Sequence, residues 1–104
     1  MDLNEYQSLA AQTAIYPDES RITYPLLGLS GEVGEFANKW KKTIRDDRPF
    51  PIDDAKSELG DILWYISALA RDCNLSLDEI AMANLNKLRD RKDRGVLGGS
   101  GDNR

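Results

Sequence analysis

The chain has 104 residues, 40% hydrophobic and 31% charged, with 14 basic against 18 acidic side chains and a net charge of −4. That describes a single soluble globular domain over residues 1–104, and its acidity disfavours nucleic acid as a partner. Histidine is absent and Cys73 is the one cysteine, which excludes Ser-His-Asp and Cys-His catalysis, histidine-ligated zinc, CxxC chemistry and an internal disulfide.

Any metal chemistry must then rest on oxygen ligands, which suit hard cations such as Mg²⁺, Mn²⁺ or Ca²⁺. No apolar run approaches the roughly 18 residues needed to span a bilayer. No signal-peptide pattern is present either, so a cytoplasmic protein with no membrane partner is expected. A domain of this size buries a modest fraction of its surface, so self-association is expected to contribute to its stability.

Apolar periodicity predicts helices throughout. The first spans about Leu3 to Ile15, with Leu3, Tyr6, Leu9, Ala10 and Ala14 on one face and Asp2 or Asn4 as its cap. Tyr16-Pro17 ends it. The second runs from Thr23 to about Ile44, with Pro25 in its first turn and Leu26, Leu29, Val33, Phe36, Ala37, Trp40 and Ile44 as its stripe. Gly28, Gly31 and Gly34 interrupt it at about 1 kcal/mol each relative to alanine, which implies close approach of a ligand or of a neighbouring helix.

After a polar, proline-punctuated connection (Arg45 to Pro51), the third helix is predicted from Asp53 or Asp54 to Asp72 along Ala55, Leu59, Ile62, Leu63, Ile66, Leu69 and Ala70. The fourth has the clearest start: Ser76-Leu-Asp-Glu79 fits a capping box, with Leu75 and Ile80 as its hydrophobic staple. It runs to about Arg94 and stops at Gly95, before a glycine-rich tail over 95–104. No alternating strand pattern is present. The fold class is all-α, a four-helix bundle.

Four acidic pairs occur at i, i+3. Asp2/Glu5 opens a helix, where acids suit the dipole, and Asp90/Asp93 lies among basic residues on a solvated face. Glu32/Glu35 and Glu58/Asp61 differ, because each stands at the edge of an apolar stripe. If those two stripes pack together, four carboxylates converge, and their mutual repulsion calls for a cation. The competing reading is ordinary surface acids. Lys39 and Lys42 follow Glu35 on one stripe, while Asn84, Lys87 and Arg91 share another, with Arg94 a turn further. Cations around a carboxylate–metal cluster suit a polyphosphate substrate; ordinary i, i+4 surface pairing is the alternative.

The ordered set Glu32-Val-Gly-Glu35, Glu58-Leu-Gly-Asp61 and Asn84-Leu-Asn-Lys87-Leu-Arg-Asp-Arg91 resembles the MazG-like, all-α nucleoside triphosphate pyrophosphohydrolases, across about residues 24–104. The resemblance implies hydrolysis of (deoxy)nucleoside triphosphates to monophosphate and pyrophosphate. It implies Mg²⁺, with Mn²⁺ a possible substitute, held by Glu32, Glu35, Glu58 and Asp61, with Glu35, Glu58 and Asp61 as the catalytic carboxylates.

Lys39, Lys42, Lys87, Arg91 and Arg94 would hold phosphates, and Asn84 the sugar or a metal-bound water. Tyr65, one turn beyond Asp61, is the best aromatic wall for the substrate. Trp40 reads as core, and Trp64 as pointing away from the carboxylates toward a subunit contact. The resemblance also implies a homodimer or homotetramer in which one site draws on more than one chain. A catalytically weak nucleotide-binding module and a phosphoribosyl-ATP pyrophosphohydrolase remain alternatives. The tail leaves the fourth helix beside the phosphate stripe, so it is expected to fold over the site and order bound nucleotide. Its removal would then raise KM or lower kcat.

Overall fold

In a computed structural model describing all 104 residues, the chain forms four α-helices and no strand: α1 Leu3–Ala11, α2 Thr23–Arg45, α3 Ile52–Asp72 and α4 Leu77–Asp93. Asp2 caps α1, its carboxylate accepting from the Glu5 N–H at 2.7 Å. The helix stops at Ala11, short of the expected Ile15. The N–H groups of Gln12, Thr13 and Ala14 bond to carbonyls three residues back, and the Thr13 hydroxyl donates to the Ala10 carbonyl at 2.7 Å. Such local side-chain bonding tightens and ends an α-helix.

Asn4, the other candidate cap, serves a different purpose. Its side-chain oxygen accepts from the Asp78 N–H at 3.0 Å and so ties α1 to the start of α4. Gln7 does the same at greater depth. Its amide donates to the carbonyls of Leu75 (2.9 Å) and Ser67 (3.4 Å) and accepts from the Leu77 N–H at 3.0 Å. Three elements therefore meet on one buried polar side chain.

A 3₁₀ turn over Asp18–Ser20 leads to Ile22, a β-branched residue at φ 67°, a conformation that costs about 1–3 kcal/mol. Asp72 at the end of α3 holds it there. One carboxylate oxygen accepts from the Ile22 N–H at 3.0 Å and from the Tyr16 hydroxyl at 2.8 Å, and the other lies 3.6 Å from Arg21 Nε. The entry to α2 is thus set by the exit of α3. The start of α4 is as read from sequence: Ser76 accepts from the Glu79 N–H and Glu79 accepts in return from the Ser76 N–H. Gly95 at φ 73° stops it, in the left-handed conformation glycine favours.

α2 and α3 form the main packed pair, α1 lies along α3, and α4 rests on α1. Because α4 goes to α1, it does not close the α2–α3 pair. Of the apolar side chains only Pro25, Ala68, Ala70 and Leu77 are buried. The radius of gyration is 16.6 Å, against about 13 Å for a compact domain of this length. Trp40, read as core, is 50% exposed and stacks on Phe50 at 5.1 Å. With Val33, Phe36, Ala37 and Ile62 it lines an open apolar groove of about 380 Å³.

The helix-interior glycines also separate. A Cβ at Gly28 would lie 2.1 Å from the Tyr65 ring, so glycine is required there by close packing. Gly31 and Gly34 face open space within the chain, so close approach does not explain them here.

Candidate active site

One turn of α2 carries Glu32 and Glu35, and one turn of α3 carries Glu58 and Asp61. Packing of the two helices brings a carboxylate oxygen from each of Glu32, Glu58 and Asp61 within 4.8 Å of one another. Glu58 is 5% exposed. The Oε2 atoms of both Glu32 and Glu58 are buried and accept no hydrogen bond. Buried polar atoms are normally satisfied, and unsatisfied ones carry a desolvation cost of about 1–3 kcal/mol or more when charged. Burial, then repulsion from Glu35, Asp61 and Glu58, pushes the Glu32 carboxyl above its ordinary pKa, with Lys39 opposing. An all-carboxylate donor set with orphaned buried oxygens fits a hard divalent cation.

Glu35 does not join this cluster. It lies a turn further along α2 and about 60° round the helix from Glu32, exposed, with its carboxylate 3.4 Å from Lys39 Nζ. Lys39 in turn makes a short contact to Glu58 Oε1. Its ammonium is therefore engaged between two acids rather than free for phosphate, and the hydrogen bond to Glu58 raises its pKa. Lys42 is exposed and makes no ion pair.

Beside the cluster is an open cavity of about 360 Å³ lined by Glu32, Asp61, Trp64 and Tyr65. Tyr65 is where the sequence places it. Trp64 is not: instead of pointing away it forms a second wall, edge-on to Tyr65 with ring centres 5.1 Å apart. The Thr13 hydroxyl holds it by accepting from the indole N–H at 2.8 Å. The signal was available, since Trp64 follows Asp61 by three residues and Tyr65 by four, both on Asp61's side of a helix.

The α4 residues keep to themselves. Asn84 and Lys87 line a different cavity, of about 490 Å³, with Leu75, Glu79, Ile80 and Ala83. Lys87 and Arg91 pair with Asp102, and Arg94 pairs with Asp90 at 2.9 Å. Within one chain, these groups do not share a cavity with the carboxylate cluster.

The profile of the MazG nucleotide pyrophosphohydrolase domain matches residues 22–96. The chain belongs to the MazG family. That match runs from the strained Ile22 through α2, α3 and α4, and so contains the carboxylates, both aromatic walls and the α4 cations. The chain is also similar to the "Gene 37 protein" of Mycobacterium phage L5, 45% identical over 114 aligned positions that cover all of both proteins. No solved structure matches. No helix of this MazG protein is long and apolar enough to cross a membrane.

Proposed function

We propose that this MazG protein is a cytoplasmic, Mg²⁺-dependent pyrophosphohydrolase of (deoxy)nucleoside triphosphates. Water adds its oxygen to the α-phosphorus, the α–β phosphoanhydride bond breaks, and the monophosphate and pyrophosphate leave. The observation that carries this reading is the carboxylate trio with two buried, unpartnered oxygens.

Glu32, Glu58 and Asp61 are the residues that would hold Mg²⁺ or Mn²⁺. When bound, such an ion supplies charge neutralisation on phosphate oxygens and acidifies water. Lys39 fixes the orientation of Glu58 and balances part of the cluster's charge. Glu35, exposed at the cluster's rim and paired with Lys39, is the carboxylate placed to take up a proton from water. Trp64 and Tyr65 offer ring faces and edges beside the acids, which suits the planar base of a nucleotide.

The phosphate-holding roles of Lys87, Arg91 and Arg94, and that of Asn84, require α4 to reach a carboxylate cavity that its own chain does not give it. A second copy meets that requirement. The uncovered apolar face of Val33, Trp40 and Ile62 gives a homodimer or homotetramer a surface to bury. Sedimentation at micromolar concentration should show no monomer; a stable monomer with full activity would sink this part.

The direct test is a panel of nucleoside and deoxynucleoside triphosphates with Mg²⁺, scored separately for pyrophosphate and for phosphate. Pyrophosphate release that is abolished by EDTA and restored by metal is expected. Release of phosphate alone, or no turnover with either Mg²⁺ or Mn²⁺, would refute the assignment.

A further inference from the structure

Residues 95–104 turn back along α4, and Asp102 settles on that helix's cations. Its Oδ1 accepts from Lys87 Nζ at 3.1 Å and from Arg91 Nη2 at 3.2 Å, and its backbone carbonyl accepts from the same Arg91 nitrogen at 2.7 Å. The segment is closed on itself by Arg104, whose guanidinium donates to the carbonyls of Val96 (3.0 Å), Leu97 (3.1 Å) and Gly101, while Arg94 donates to the Arg104 carbonyl. Little apolar surface holds it down, since Leu97 is 48% exposed. What attaches the segment to α4 is a set of cationic donors, Lys87, Arg91 and Arg94, that reach the Asp102 carboxylate and the carbonyls of Asp102 and Arg104.

The two sides of the contact are unequal. The Asp102 side chain is 80% exposed, whereas the Arg91 side chain beneath it is 6% exposed and pairs with no other carboxylate. A covered guanidinium needs an anionic partner, so Arg91 gives up Asp102 readily only to another anion. A phosphate is the stronger claimant, with more negative charge and more acceptor oxygens than a carboxylate for the same donors. Gly95 at φ 73° and Gly101 at φ 80° give the segment two glycine pivots on which to lift.

We propose that Asp102 is a built-in stand-in for phosphate: it occupies the anion site formed by Lys87 and Arg91, and a polyphosphate binds there by displacing residues 95–104 from α4. This rests on the reading of Lys87 and Arg91 as phosphate-holding groups. The segment does lie on the phosphate stripe, as the sequence leads one to expect. Its contact is one of competition, so relieving it strengthens anion binding, opposite in sign to an ordering role.

The test uses the intact protein and inorganic tripolyphosphate, by titration calorimetry in EDTA. Asp102→Asn keeps the side chain's size but removes its charge, and should bind tripolyphosphate about threefold to tenfold more tightly than the unaltered protein. Hydrogen exchange gives a second reading: tripolyphosphate should strip protection from residues 96–104 of the unaltered protein. Unchanged or weaker binding by Asp102→Asn, with the segment still protected, overturns the proposal.

Lys87→Gln separates that failure from failure of the underlying reading. If it weakens binding while Asp102→Asn does nothing, the phosphate role stands and displacement is refuted. If it leaves affinity unaltered in both backgrounds, both fall.

Discussion

Replacing Gly28 with alanine tests whether the aromatic wall of the site is packed as described. The new Cβ would stand 2.1, 2.5 and 2.6 Å from Cε1, Cζ and Cδ1 of Tyr65. Carbon atoms settle at about 3.5–4.0 Å, so the ring must withdraw by more than about 1 Å or the two helices must part. Overpacking of this kind costs about 1–3 kcal/mol. Alanine recovers about 1 kcal/mol of helix propensity.

Gly31→Ala supplies the internal reference. Nothing lies within 4 Å of its Cβ, so it receives the propensity gain without the clash. Gly28→Ala should therefore be about 1–3 kcal/mol less stable than Gly31→Ala, or about 4–20 °C lower in Tm for a domain of this size. The comparison is made by calorimetry at equal protein concentration, because any self-association would make Tm concentration-dependent. Gly28→Ala should also raise KM, since Tyr65 shares its cavity with Glu32 and Asp61. Equal stability of the two variants would show that Tyr65 does not sit on Gly28 in solution.

Mg²⁺ or Mn²⁺ at about 100 times its Kd should stabilise the fold by about 2.7 kcal/mol; thermal melts should show less from NaCl at equal ionic strength, and equal stabilisation would mean the acids hold no ion. Glu58→Gln and Asp61→Asn should each lower kcat by orders of magnitude with far-UV circular dichroism unchanged. Asp93→Asn, in an acidic pair outside the cluster, should stay near the unaltered rate, and uniform behaviour of all three would refute the assignment. The raised pKa of Glu32 means that the metal-free folded state holds this proton more tightly than the unfolded chain does. Stability in EDTA should thus fall as pH rises from the ordinary glutamate value of 4.5 through the raised one. Glu32→Gln should flatten that part of the Tm–pH curve; an identical slope in the variant would disprove the linkage.

The elements best read from sequence are those decided locally. Ser76 and Glu79 satisfy each other's backbone within one turn, and Gly95 stops α4 two residues beyond Asp93, so no distant part of the chain is needed to find either end. The carboxylate spacing was equally local, but convergence was not. An i, i+3 pair always spreads about 60° round its helix, and only the rotation of α2 against α3 decides that Glu32 faces Glu58 and Asp61 while Glu35 turns to Lys39. The same rotation places Trp64 at the cavity, although its spacing from Asp61 was as suggestive as that of Tyr65.

Least legible was the docking of α4. Its position is set by Gln7 meeting Leu77 and Asn4 meeting Asp78, contacts 70 and 74 residues apart in the chain. They are made by polar side chains that leave no trace in an apolar period. Hydrophobic stripes signal that a face is to be buried but not what buries it. Val33 and Trp40 remain half-exposed because α4, the one helix free to cover them, is held against α1 instead. The same placement parts the cations of α4 from the carboxylates of α2 and α3. Incomplete burial of the α2–α3 face and the separation of α4's cations from the carboxylates therefore have one structural cause, and the self-association proposed above would answer both.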